Sequence, residues 1–368
     1  MKKGYWFIAA TGVIIGAIAV WLTKAGNPPN MGLCIACFER DIAGALGLHQ
    51  AKAVQYIRPE IIGIVFGALI AAVAFREFRP TSGSAPAIRF IMGMFSMIGA
   101  LVFLGCPLRM TIRLGAGDMN AFVGLLGFVT GIWGGTFFLK RDFDLGPSRK
   151  TRGVEGWILP AVMAVLLALL ITRPVFNPEA GGPIFFTKAE AGATPVPPGA
   201  MAAPIALALI AGLAVGFLAQ RTRFCTVGGF RDLILFREAN LFIGWIALLI
   251  AVFVGNVALG MFKFGFDGQP IAHTMHVWNF LGLALVGLNG ALLGGCPLRQ
   301  LILAAQGSGD SALFVFGMIV GAGFSHNFLM AANPKLVPAV SLYGQIAVVV
   351  GILFAIGVGI NGIMRESS

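Results

Sequence analysis

Charge is what this 368-residue sequence has least of. Asp, Glu, Lys and Arg together make 11% of it, against 58% hydrophobic residues. No ordinary soluble domain can cover its surface with so few charges, so a soluble globular protein is excluded. Cysteine is also scarce: Cys34, Cys37, Cys106, Cys225 and Cys296 are too few and too widely separated for a secreted disulfide scaffold. Neither G-x-x-x-x-G-K-[ST] nor a Rossmann glycine fingerprint occurs, which argues against ATP-driven pumping. No low-complexity tract and no stretch that reads as a separate soluble domain interrupts the chain.

What the sequence does contain is apolar blocks of spanning length, at 5–23, 60–78, 88–105, 118–139, 156–172, 201–220, 240–262, 278–295, 311–331 and 341–363. As helix, about 20 such residues cross a hydrocarbon layer of ~30 Å. The fold class expected is therefore all-α, a polytopic membrane protein of about ten transmembrane helices. The first block follows Met-Lys-Lys, as a signal peptide would. Ala19-Val-Trp-Leu-Thr-Lys24 offers no small-residue cleavage site, so the block reads as a helix.

A net charge of +11 raises nucleic acid as a partner, but the basic residues are scattered through short loops, where they set orientation instead. With both termini cytoplasmic, the inner segments hold 16 of the 26 Lys and Arg, the densest group being Lys140, Arg141, Arg149, Lys150 and Arg152. The expected setting is a prokaryotic inner membrane, with the lipid bilayer as surroundings and no nucleic acid.

Two internal matches occur at nearly one offset. Cys34-Ile-Ala-Cys-Phe-Glu-Arg-Asp41 aligns with Cys225-Thr-Val-Gly-Gly-Phe-Arg-Asp232, and Gly105-Cys-Pro-Leu-Arg109 aligns with Gly295-Cys-Pro-Leu-Arg299. Each of the latter precedes a Gly-x-Gly-Asp, ending at Asp118 and Asp310. Two matches in one order imply a duplication, and five crossings per half invert the second half relative to the first, a transporter architecture with its path at the repeat interface. The boundaries expected are a first half at 1–172, an external linker at 173–200 with six prolines, and a second half at 201–368.

The stretches 25–50 and 223–238 are too short and too charged to span, and fit re-entrant half-helices. In each Cys-Pro-Leu-Arg a helix breaks and restarts with proline at its first position, which puts cysteine at a helix N-terminus. Free amides and the helix dipole there favour an anion. Arg109 and Arg299, three residues on, add positive potential. A thiol is polarizable and a weak donor, suited to soft sulfur or selenium rather than to phosphate oxygens. The pathway candidates are therefore Cys34, Cys106, Cys225 and Cys296 with Arg109 and Arg299, and Cys37 as an unmatched neighbour.

Other readings attach to the same residues. Cys34 and Cys37 form a C-x-x-C, a redox pair or half a metal site, although His49 is the only nearby histidine. His273 and His276 stand at helical spacing and make a metal site conceivable. Glu39, Asp41 and Asp232 are charges beside membrane segments, where pairing or function is the default, with Arg40 and Arg109 as partners open to Asp41.

Over essentially its whole length the sequence resembles the YeeE/YedE family of sulfur-transport membrane proteins, and within it the YedE-related selenium metabolism branch. The resemblance rests on Asn27-Pro-Pro-Asn-Met-Gly-Leu-Cys-Ile-Ala-Cys-Phe38, Phe103-Leu-Gly-Cys-Pro-Leu-Arg109, Gln220-Arg-Thr-Arg-Phe-Cys225 and Gly294-Gly-Cys-Pro-Leu-Arg-Gln300. It implies an hourglass in which re-entrant segments bring Cys34, Cys106 and Cys296 to a narrow waist, with Cys225 the repeat mate of Cys34. It also implies uptake of thiosulfate or a related sulfur or selenium compound beside a small cytosolic sulfurtransferase-like partner, with no cofactor and no enzymatic step. The alternative reading is a membrane thiol-disulfide oxidoreductase built on Cys34 and Cys37.

Overall fold

A computed structural model describes residues 2–174, 184–189 and 196–366. Apart from one two-stranded ladder, Thr81–Ser82 against Arg149–Lys150, its regular structure is helical. The first seven α-helices are α1 (Lys2–Lys24), α2 (Ile35–Ala45), α3 (Pro59–Ala74), α4 (Pro86–Phe103), α5 (Pro107–Gly115), α6 (Met119–Leu139) and α7 (Ile158–Thr172). The next seven follow in the same order of long and short: α8 (Ile205–Thr222), α9 (Thr226–Phe236), α10 (Asn240–Ala258), α11 (His276–Leu292), α12 (Pro297–Ala305), α13 (Gly309–Asn327) and α14 (Leu342–Glu366).

Among the described residues eight helical stretches are long and apolar enough to cross a bilayer, which makes the chain an all-α polytopic membrane protein. The ten blocks anticipated from sequence are all helices, but two differ from a regular span. Helix α3 has 16 residues and stops at Ala74 rather than 78, because Arg76 turns left-handed (φ 58°) and the Glu77 amide closes back on Ala72 O at 2.7 Å. Helix α13 has 19 residues but carries Asp310 in its first turn and His326 and Asn327 in its last.

The long helices pack as α1 on α10, α3 on α8, α4 on α13 and α6 on α11, so every one of these seams joins an early helix to a late one. Small residues make the approach possible. In the α6–α11 seam a Cβ at Gly127 would run into the carbonyl of Phe280, and one at Gly131 into that of Ala284.

The two sets of helices also share their loop contacts. Ala116 O and Gly117 O accept the amides of Lys263 and Gly265 at 2.9 and 3.0 Å, while Gln306 O and Gly307 O accept those of Arg79 and Thr81 at 2.9 and 3.3 Å. This pairing corrects one sequence alignment. Asp118 caps α6 and bridges Gly265; the residue that caps α13 and bridges Thr81 is Ser308. Asp310 lies two residues inside its helix, so the Gly-x-Gly-Asp matches are out of structural register by two. Asp310 instead gathers the far loops, accepting the amides of Gly83 and Ser84 at 2.9 and 3.2 Å and the Ser148 hydroxyl at 2.6 Å.

Of the expected linker at 173–200, residues 175–183 and 190–195 lie outside the described residues. The described parts lie over the turn that follows α2: Phe185 N donates to Ala45 O, Thr187 N to Gln55 O and Gly199 N to Ala53 O, at 2.8 to 2.9 Å.

Candidate functional site

Four short helices each begin at a cysteine. Cys34, Cys106, Cys225 and Cys296 occupy the N-cap positions of α2, α5, α9 and α12, a place normally held by Ser, Thr, Asp or Asn. Extended backbone at each cap (φ −152°, −78°, −155° and −70°) turns the chain into the new helix, and Pro107 and Pro297 fill the first helical position after Cys106 and Cys296. Each thiol thus sits where unpaired amides point outward and the helix dipole is positive. All five cysteines are buried and free.

The helices bring these caps together in pairs. Cys34 Sγ lies 3.8 Å from Cys106 Sγ and accepts the Cys37 amide at 3.3 Å. In the other pair Cys225 Sγ accepts the amides of Gly228 at 3.2 Å and of Cys296 at 3.4 Å. Helix α2 also touches α12, and α5 touches α9, so helices of one pair contact helices of the other. Cys37, which has no repeat mate, belongs to the first group, since Arg109 Nη1 reaches its sulfur at 3.6 Å.

Arg109 is fully buried. Its guanidinium holds three separate segments, donating to Asn30 O at 3.0 Å, to Ile271 O at 3.3 Å and to Leu104 O. Leu104 and Ile271 line a cavity of about 1050 Å3, a vestibule with Arg40, His326, Pro198 and Met201 on its walls. Arg109 thus joins two residues that line this vestibule to the Cys37 thiol. Arg299 is half-buried near the other pair, and its Nη1 is buried with no hydrogen-bond partner.

Asp41 is the centre of a buried ion cluster. It accepts Arg40 at 2.6 Å and Arg58 at 2.7 Å, so of the two partners left open by sequence Arg40 is present, Arg109 is not, and Arg58 joins from 17 positions away. Arg58 lies over the rings of Phe38 (4.7 Å) and Tyr56 (5.1 Å) and donates to Pro198 O and Met201 O, tying α2 and α3 to the connecting segment. In the second half Arg231 and Asp232 pair at 2.8 Å but stay partly exposed. Glu39, beside this cluster, is 1% exposed and neither carboxyl oxygen has a partner.

The histidines are engaged with neighbouring groups. His273 Nε2 meets Val102 O at 2.7 Å and its Nδ1 accepts the Met275 amide at 3.3 Å, while His276 packs edge-on against Phe266. Burial pushes the His273 imidazole down to about 4. His49 stacks on His326 at 4.4 Å and bonds Arg40 O. Among the described residues no cluster of three or more metal-ligating side chains occurs.

Sequence reasoning passed over Arg58, Arg113 and Asn27. Arg113 pairs with Asp118 at 2.7 Å and donates to Phe103 O; Gln300 takes the corresponding Leu293 O in the second half. Asn27 links Glu60 (2.7 Å), Gly32 O and the Ala203 amide. The available signal was the cost of burying a charge: Arg58 opens an apolar helix and Arg113 follows a broken one.

A family model described as Sulphur transport matches residues 1–106 and 221–365, segments that include all five cysteines. The chain is also 32% identical over 113 residues to the thiosulfate transporter TsuA of Escherichia coli (strain K12). That match takes in 30% of this chain and 31% of the relative.

Proposed function

The chain belongs to the sulphur transport family, and from that premise we propose that it carries a small sulfur- or selenium-containing anion, thiosulfate or a close relative, inward across a prokaryotic inner membrane. The observation that carries the reading is the set of four cysteine N-caps, two groups of thiols at helix N-termini. The similarity to a thiosulfate transporter supports the substrate class.

In this reading residues 1–172 and 201–368 are inverted halves joined by an external connection. The vestibule, with Arg40 on its wall, gathers the anion. It then passes to Cys34 and Cys106, and from there to Cys225 and Cys296. Each thiol donates a weak S–H hydrogen bond to the soft terminal atom, helix N-termini offset the charge, and no covalent bond forms or breaks. Binding at each step stays weak enough for release. Arg299, with its unpartnered nitrogen, faces the exit, where a sulfurtransferase-like protein receives the anion.

Uptake into reconstituted vesicles tests this, with thiosulfate, sulfite, selenite and sulfide compared. Cys106→Ala and Cys296→Ala are expected to lower thiosulfate or selenium uptake by about tenfold or more, the equivalent of ~1.4 kcal/mol per site. Cys37→Ser is expected to retain most of it. Loss with Cys37→Ser and retention in the other two would instead establish the thiol-disulfide oxidoreductase reading.

A further inference from the structure

Glu39 stands where the fold has a place for a hydrophobic side chain. The caps at Cys34 and Cys225, and the Arg-Asp pairs 40/41 and 231/232, fix the register of α2 against α9, so the repeat mate of Glu39 is Phe230. Phe230 packs edge-on against Phe128 of α6, Phe242 and Trp245. The equivalent seat in the first half, on α2, holds a carboxyl that is 1% exposed and has no hydrogen-bond partner on either oxygen. An ionised carboxylate stripped of water and given neither donor nor cation is the most costly state available to it; the protonated acid is the form such a seat accommodates.

Glu39 lies five residues along α2 from its N-cap Cys34, whose sulfur is 3.8 Å from that of Cys106, both proposed path thiols. On its own helix Arg40 and Asp41 are committed to each other and to Arg58. The elements packed around α2 bring Asp310 and His326 at the two ends of α13, Arg299 on α12, Arg89 on α4, and Arg58 and Glu60 at the start of α3; Asp310 is held by Gly83, Ser84 and Ser148, and Glu60 by Asn27. None of these is paired with Glu39.

We propose that Glu39 is a proton-carrying residue that couples proton movement to anion transfer past Cys106. This rests on the transport reading above. With the path empty, the carboxylate takes a proton from the vestibule side, becoming the neutral acid. With an anion at Cys34 and Cys106, the acid stands beside it without repulsion. When the anion moves on to Cys225 and Cys296, the proton leaves to the inner side and the carboxylate is regenerated. One proton enters per cycle and no electron is transferred. The inward proton removes one unit of the negative charge that an inside-negative membrane opposes.

The test uses the full chain in vesicles holding a pH-reporting dye, with the membrane potential clamped and thiosulfate or the best-transported anion outside. Wild type is expected to acidify the lumen as the anion enters and to be driven by an inward proton gradient. Glu39→Gln, a neutral copy of the acid, is expected to keep anion exchange while losing both the acidification and the response to the gradient. Infrared difference spectra give a second readout, in which the C=O stretch of a protonated acid, shifted on adding the anion, disappears in Glu39→Gln. Glu39→Leu, which copies the apolar repeat mate, replaces it if the glutamine variant does not insert. Anion uptake by wild type without proton entry, uptake driven by sodium instead, or an unchanged gradient response in Glu39→Gln would each overturn the proposal. A wild type that moves no sulfur or selenium anion would overturn the transport reading itself.

Discussion

Arg58 and Asp41 meet at 2.7 Å with both side chains fully out of solvent, and the same guanidinium holds the backbone of Pro198 and Met201. One ion pair thereby joins α2 to the segment that leads into the second set of helices.

Removing the acid leaves Arg40 and Arg58 facing each other unpaired. Breaking a buried pair on one side costs about 3–5 kcal/mol. Asp41→Ala is expected to lower stability by that amount, measured by thermal unfolding in detergent, and to raise the rate of proteolysis within 184–204. Asp41→Asn, which keeps acceptor capacity, is expected to lose less. Equal stability in Asp41→Ala would show that solvent reaches the cluster.

The glycine seams make a paired prediction. Gly131 abuts the carbonyl of Ala284, whereas Gly134, one turn on, has open space where a side-chain methyl would project. Gly131→Ala should cost about 1–3 kcal/mol through forced separation of α6 and α11. Gly134→Ala should be neutral or gain up to ~1 kcal/mol from helix propensity. Unfolding of both variants in the same detergent checks the contrast.

His273 supplies a pH dependence. In its neutral form the ring satisfies Val102 O with one nitrogen and the Met275 amide with the other, and burial pushes it down to about 4. The unfolded chain binds the proton near pH ~6.5, so the unfolded state holds more protons between the two values and stability rises with pH across that window. Acidification from pH 7.5 to 5 should therefore remove about 2 kcal/mol. His273→Gln, uncharged throughout, should flatten this part of the profile; an unchanged slope would assign the loss to other groups.

The membrane class and the helix starts at Cys106 and Cys296 were legible because each is written locally: apolar length, and Cys followed by Pro. Helix starts at Cys34 and Cys225 were readable only as short re-entrant pieces, since no proline marks them. Asp41's second partner was not legible, because Arg58 arrives by folding from another helix. The Gly-x-Gly-Asp match misled for a similar reason: two glycine-rich turns look alike in letters, yet the cap falls on Asp118 in one and Ser308 in the other. Nor does spacing reveal that Arg109 spends its donors on three carbonyls and the Cys37 thiol.

Because α1 clasps α10, α3 clasps α8, α4 clasps α13 and α6 clasps α11, the early and late helices are interleaved like fingers of two hands. Swinging one set as a rigid block would shear four glycine-lined contacts at once.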